Sequence, residues 1–278
     1  MTRTIRLGIS PCPNDTFAFH GLLTRAVDWR GLDFEISLLD IEELNSRMLR
    51  GDFDVCKVSF HAAVTAAADL VVLPSGSALG FGVGPLLLAA AADSRPRDAR
   101  QLTLLPGRLT TAALLFGLFH PGTTRLEQTV FSEIMPRLES RTADFGVCIH
   151  EGRFTWQERG LFLVEDLGER WEHATGSPLP LGGIAASRRL PPDVMATVQQ
   201  VIRDSLDLAR TNPAAPLPTM RAHAQEFDDR VLEQHVELYV NDWTIDLGET
   251  GRRALDELSA RAAAVGLGSG DRLEVFAG

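Results

Sequence analysis

Asp144-Phe145-Gly146-Val147-Cys148 repeats, with one change, the stretch Asp52-Phe53-Asp54-Val55-Cys56 that lies 92 residues earlier (144 − 52). Each copy reads as a short apolar strand. A helix-cap candidate stands at the same distance ahead of each, Asp40 before the first and Ser132 before the second. The pattern occurs twice only, so it is a pair of βαβ-type units and not an array. The expectation is an α/β chain of two similar lobes whose strand ends face each other across a cleft.

The residues just beyond each copy supply the chemistry. The second copy runs out in Ile149-His150-Glu151-Gly152-Arg153. Ligands of α/β proteins sit beyond the carboxyl ends of strands, and an imidazole placed there, near-neutral at physiological pH, takes a proton readily. Glu151 is the adjacent carboxylate. Successive side chains on a strand point to opposite faces, so Glu151 orients His150 only if the strand has already ended. The first copy ends in Lys57-Val58-Ser59, where Lys57 and Ser59 share a face and Val58 takes the other.

Around these copies the chain alternates strand and helix. A strand over 5–10 ends in Ser10-Pro11-Cys12-Pro13-Asn14-Asp15-Thr16-Phe17, a stiff turn because two prolines fix φ. Asn14, Asp15 or Thr16 is expected to cap the helix after it and to make its N-terminus an anion site. Asp40 and Glu43 form a capping-box pattern ahead of the apolar stripe Ile41, Leu44, Met48 and Leu49. Ser75 to Gly84 is glycine-rich, but Pro85 and an apolar strand come next. A dinucleotide fingerprint requires a helix there, so these glycines are read as close backbone approach. Thr110-Thr111 opens a helix over 112–119, where one threonine caps and both present donors to an anion. A strand is expected over 128–131, with Ser132 capping the helix behind it. His235 lies on the apolar stripe of Val231, Leu232, Leu238 and Tyr239 and is read as a packing residue.

The bulk numbers exclude whole classes. The chain has 278 residues and a formal charge of −10, which disfavours nucleic acid and anionic membranes as partners. It also means that an anionic substrate needs local donors. The three cysteines show no paired spacing, and no motif offers a metal site. The longest apolar run is too short to span a bilayer. With no apolar leader at the start, a cytoplasmic location is expected. The larger lobe is expected from residues 1–95 and 178–278, the smaller from 96–177.

Taken together, the S-P-C-P-N-D-T-F string, Lys57-Val58-Ser59, the glycine-rich stretch, Thr110-Thr111 and Ile149-His150-Glu151-Gly152-Arg153-Phe154-Thr155 resemble the 1,4-dihydroxy-6-naphthoate synthases of the futalosine route to menaquinone. The likeness extends through Pro178-Leu179-Pro180-Leu181-Gly182 and Leu238-Tyr239-Val240-Asn241. It implies the two-lobed fold of type II periplasmic binding proteins, a cytosolic lyase and no cofactor. The implied substrate is a small carboxylate, cyclic dehypoxanthinyl futalosine. By position, the resemblance implies His150 as proton acceptor and Lys57, Val58, Ser59, Thr110 and Thr111 as substrate-site residues. Ser10 and Asn14 of the proline-rich turn join that site. A chorismate-dehydratase-like sibling and a non-enzymatic carboxylate-binding protein are the alternatives.

Overall fold

In a computed structural model, which describes residues 3–150, 152–224 and 228–277, the strands fall into two sheets. In chain order they are β1 (Arg3–Ile9), β2 (Leu32–Leu38), β3 (Val55–Ser59), β4 (Leu70–Val72), β5 (Ala78–Gly80), β6 (Leu86–Ala89), β7 (Leu102–Leu105), β8 (Arg125–Gln128), β9 (Phe145–Cys148), β10 (Phe162–Asp166) and β11 (Leu179–Ser187). One sheet has the order β2-β1-β3-β11-β4, with β5 also pairing β11. The other, read from its β8 edge, has the order β8-β7-β9-β6-β10.

The two sheets share one plan. In each, three parallel strands are followed by a strand of opposite direction, β11 against β3 and β6 against β9. The repeated sequence is the third strand of both. Its phenylalanines, Phe53 and Phe145, are buried, as are Cys56 and Cys148. The helices Ile41–Arg50 and Phe131–Glu139 precede these strands at equivalent places.

Local readings differ at four points. The strand before the second helix is Arg125–Gln128, in parallel register with β7, and the helix starts at Phe131 after Val130, so Ser132 is inside it and caps nothing. Asp40 does cap its helix by accepting from the Glu42 amide, but Glu43 closes no box; Glu42 reaches instead to the amides of Arg108 and Leu109. The helix after the proline turn starts at Pro13 behind Cys12, and Asp15 is buried within it. Finally, Leu86–Ala89, assigned by composition to the first lobe, is a strand of the second sheet, so the chain changes sheets between Gly80 and Leu86 and not near residue 95.

The glycine-rich crossing has a steric cause. A Cβ on Gly84 would lie 2.2 Å from the Gly168 Cα, so the backbones touch where the chain passes between sheets. The lobes also share a core. One apolar cluster joins Cys56 and Val58 of the first sheet to Leu87, Phe145 and Val147 of the second, with Leu114, Leu115 and Phe116 of the helix Thr111–Phe119 and Leu255 and Leu258 of the helix Gly248–Ala264. Among the described residues no helix is long and apolar enough to cross a membrane.

Candidate active site

The carboxyl ends of β1, β3, β7 and β9 converge on a cavity between the sheets. Ser10, Asn14, Lys57, Ser59, Thr110, Thr111 and His150 all line it. Val58 does not: its side chain points the other way and is buried in the shared core, as strand alternation requires. Cys12, Asp15, Arg153, Leu181, His235 and Tyr239 complete much of the wall.

His150 sits two residues past the end of β9 with φ +56°. A non-glycine residue in the left-handed region carries strain, which clusters where a side chain must be aimed. The aim is fixed from three sides. Phe131 meets the imidazole edge-on at 4.8 Å, the His235 ring stacks at 6.4 Å, and Cys12 Sγ lies 3.3 Å from Nδ1. Glu151, the sequence candidate for orienting His150, lies outside the described residues.

Lys57 and Asp15 make a buried ion pair at 2.5 Å, with side chains 6 % and 3 % exposed. Asp15 also accepts from Ser10 Oγ at 2.6 Å and from Asn14 Nδ2 at 3.0 Å, and the Lys57 ammonium donates to the Gly76 carbonyl as well. Asp15 is therefore not a helix cap, and the positive charge of Lys57 is already compensated within the wall. The same chain of bonds fixes a tautomer. The Asn14 amide nitrogen faces Asp15, so its oxygen faces His235 Nε2 at 3.0 Å and Nε2 must carry the proton. Sequence reading gave His235 to packing; the structure puts it on the cavity wall.

Burial holds the His235 pKa well below the ordinary histidine value, with His150 and Lys57 adding to the effect. Burial also lowers His61. Each therefore binds a proton less readily than in the unfolded chain, which titrates near ~6.5. Stability is thus fully present above that pH and falls as protons load the unfolded chain below it. Urea midpoints should be lower at pH 5.5 than at pH 7.5, and His235→Gln should flatten the difference.

On the opposite rim, Thr110 caps the helix Thr111–Phe119 by accepting from the Ala113 amide and gives its own proton to the Gly107 carbonyl. The Thr111 hydroxyl donates to the Leu181 carbonyl at 2.6 Å, tying the rims together. Neither hydroxyl proton is left for a ligand. The anion donors here are the Thr111 and Ala112 amides, which at the first two helical positions have no carbonyl partner within the helix. Ser59 adds another: its oxygen accepts from Asn45 Nδ2, and its amide donates to Asn45 Oδ1. That pairing orients the hydroxyl for donation into the cavity. Arg153 is committed elsewhere, to Asp166 and the Gly84 carbonyl. What the wall offers an anion is therefore amide and hydroxyl dipoles, the Lys57 and Arg153 charges being paired with Asp15 and Asp166.

Residues 5–264 match the family described as menaquinone biosynthesis. The chain belongs to that family. It is 41% identical over 270 residues to the 1,4-dihydroxy-6-naphtoate synthase of Streptomyces coelicolor, covering 95% of this chain and 94% of that one. Identity to the Thermus thermophilus protein of the same name is also 41%, over 263 residues and 95% of each chain. Among solved structures, protein AF1704 of Archaeoglobus fulgidus superposes with a TM-score of 0.89 at 30% identity, over 95% of this chain and 98% of that one. The alkanesulfonate-binding protein SsuA of Xanthomonas axonopodis pv. citri superposes at 0.72 over 98% and 96% of the two chains. At 14% identity that likeness shows the fold alone: two lobes of periplasmic-binding-protein type with the cleft between them.

Proposed function

We propose that the chain is a lyase converting cyclic dehypoxanthinyl futalosine to 1,4-dihydroxy-6-naphthoate and dihydroxyacetone, with His150 as the general base. The observation that supports this most is the placement of one strained, packed imidazole on a cleft wall facing a helix N-terminus. The base removes a proton from carbon next to a carbonyl; C–C and C–O bonds then break, and aromatisation of the second ring drives the reaction. Histidine is the side chain whose protonation changes nearest neutral pH, which suits that task.

The substrate carboxylate is held by the Thr111 and Ala112 amides and the Ser59 hydroxyl, and the Lys57–Asp15 pair forms a polar but balanced wall. The shared core and the Thr111–Leu181 bond keep the lobes registered, so a small closure suffices to exclude water. Three cysteines, two of them buried and none held in a disulfide among the described residues, fit a reducing cytoplasm. Purified protein incubated with the cyclic futalosine derivative is expected to release the naphthoate, detected by its absorbance and mass. Intact substrate after prolonged incubation, or dehydration of chorismate in its place, would overturn the reading.

A further inference from the structure

Cys12 has no part in the chemistry assigned to His150, yet it touches that base. Its Sγ lies 3.3 Å from Nδ1 and 3.8 Å from Nε2 of His150. The contact crosses between the lobes, from the turn after β1 to the turn after β9. Both residues border the main cavity and also a smaller one of about 80 Å³ lined by Pro11, Pro13, Asp40 and Phe131. Cys12 is partly exposed, whereas Cys56 and Cys148 are buried.

We propose that Cys12 is a positioning residue for the base: its sulfur receives the Nδ1–H of His150, which leaves the basic lone pair on Nε2. A neutral imidazole carries one proton. If Nδ1 holds it against the sulfur, Nε2 is the acceptor for the substrate proton. When Nε2 takes that proton, the ring becomes an imidazolium and Nδ1–H becomes a stronger donor to sulfur. The rigid diproline turn and the left-handed His150 backbone hold the two partners in place without a mobile side chain between them. The idea rests on His150 as base, but the thiol–imidazole pairing is measurable without substrate.

Other charged groups face the pair. Lys57 and Asp15 compensate each other, Arg153 is paired with Asp166, His235 is held neutral by burial, and Asp40 caps its helix beside the smaller cavity. Substitution at position 12 removes none of these pairings, and substitution at position 150 removes only the lesser contribution that His150 makes to holding His235 neutral.

The test is iodoacetamide alkylation of the full-length protein from pH 5.5 to 9, read by peptide mass. Burial raises the thiol pKa of Cys56, and that of Cys148 to about 12, so Cys12 reports alone. Pairing predicts Cys12 alkylation at pH 6.5 that falls about tenfold in His150→Ala. It also predicts that Cys12→Ala lowers kcat about fivefold with KM little changed, the worth of one modest hydrogen bond. The same change should move the acid limb of the kcat profile to lower pH, because the imidazolium has lost an acceptor. Cys12→Ser, which keeps an acceptor, should recover part of both effects. Identical alkylation profiles with and without His150, or a wild-type kcat profile in Cys12→Ala, would overturn the proposal. If the protein makes no naphthoate, the functional reading fails while the alkylation comparison still decides the pairing.

Discussion

His150→Ala is expected to lower naphthoate release about 10²–10⁴-fold, the usual worth of a positioned general base, with product affinity within about tenfold of wild type. The asymmetry comes from the wall. The groups assigned to the carboxylate, the Ser59 hydroxyl and the helix amides at Thr111 and Ala112, lie on β3 and behind β7, and none is bonded to His150. Removing the ring therefore strips the proton acceptor and leaves the grip. Because φ is +56° there, alanine retains the backbone strain. His150→Asn is the control, since asparagine tolerates the left-handed region and keeps a polar side chain without a usable base. Both variants should fold as wild type by circular dichroism and fail in single-turnover assays. Turnover near wild type in His150→Asn would remove the imidazole from the chemistry, and loss of product binding in both would make it a ligand-holding group.

The architecture was readable because the repeat is written in the chain. Asp-Phe-x-Val-Cys marks the third strand of both sheets, and the fixed offset exposes two like units before any coordinates. Parity did the same for the first wall: alternation placed Lys57 and Ser59 in the cavity and is the reason Val58 cannot join them. The resemblance named Val58, but the pleat overrules it for the side chain. What sequence did not disclose depends on contacts between distant segments. Asp15 looks like any helix-cap aspartate until β3 brings Lys57 beside it. His235 occupies an apolar helical stripe, and periodicity cannot distinguish a stripe facing core from one facing a cleft. Leu86–Ala89 is apolar throughout, so nothing local tells which sheet it completes. The hydroxyls of Thr110 and Thr111 were read as ligand donors; their acceptors, Gly107 and Leu181, became visible only once the rims were assembled.

Asp15→Asn is expected to be the most destabilising polar change in the cleft, about 3–5 kcal/mol, because it leaves the Lys57 ammonium buried without its counter-ion. The partners are not equivalent. If Lys57 is replaced by methionine, Asp15 keeps the Ser10 and Asn14 donors. If Asp15 becomes asparagine, Lys57 keeps only neutral acceptors, the new amide oxygen and the Gly76 carbonyl, and loses its counter-charge. Lys57→Met should therefore cost less than Asp15→Asn, and the double variant should recover part of the loss. A coupling energy of about 1–3 kcal/mol in the double-mutant cycle, from urea unfolding at pH 7.5, is the expected result. The hydrogen-bond chain to the catalytic wall should survive the change. The oxygen that meets the Lys57 ammonium also accepts from Asn14, so an asparagine oxygen held there leaves Asn14 and the His235 Nε2–H as they are, while its nitrogen turns to Ser10 Oγ. Strict additivity of the Asp15 and Lys57 changes would mean the two charges are solvated independently, and the picture of a neutral, preassembled wall behind the base would have to be abandoned.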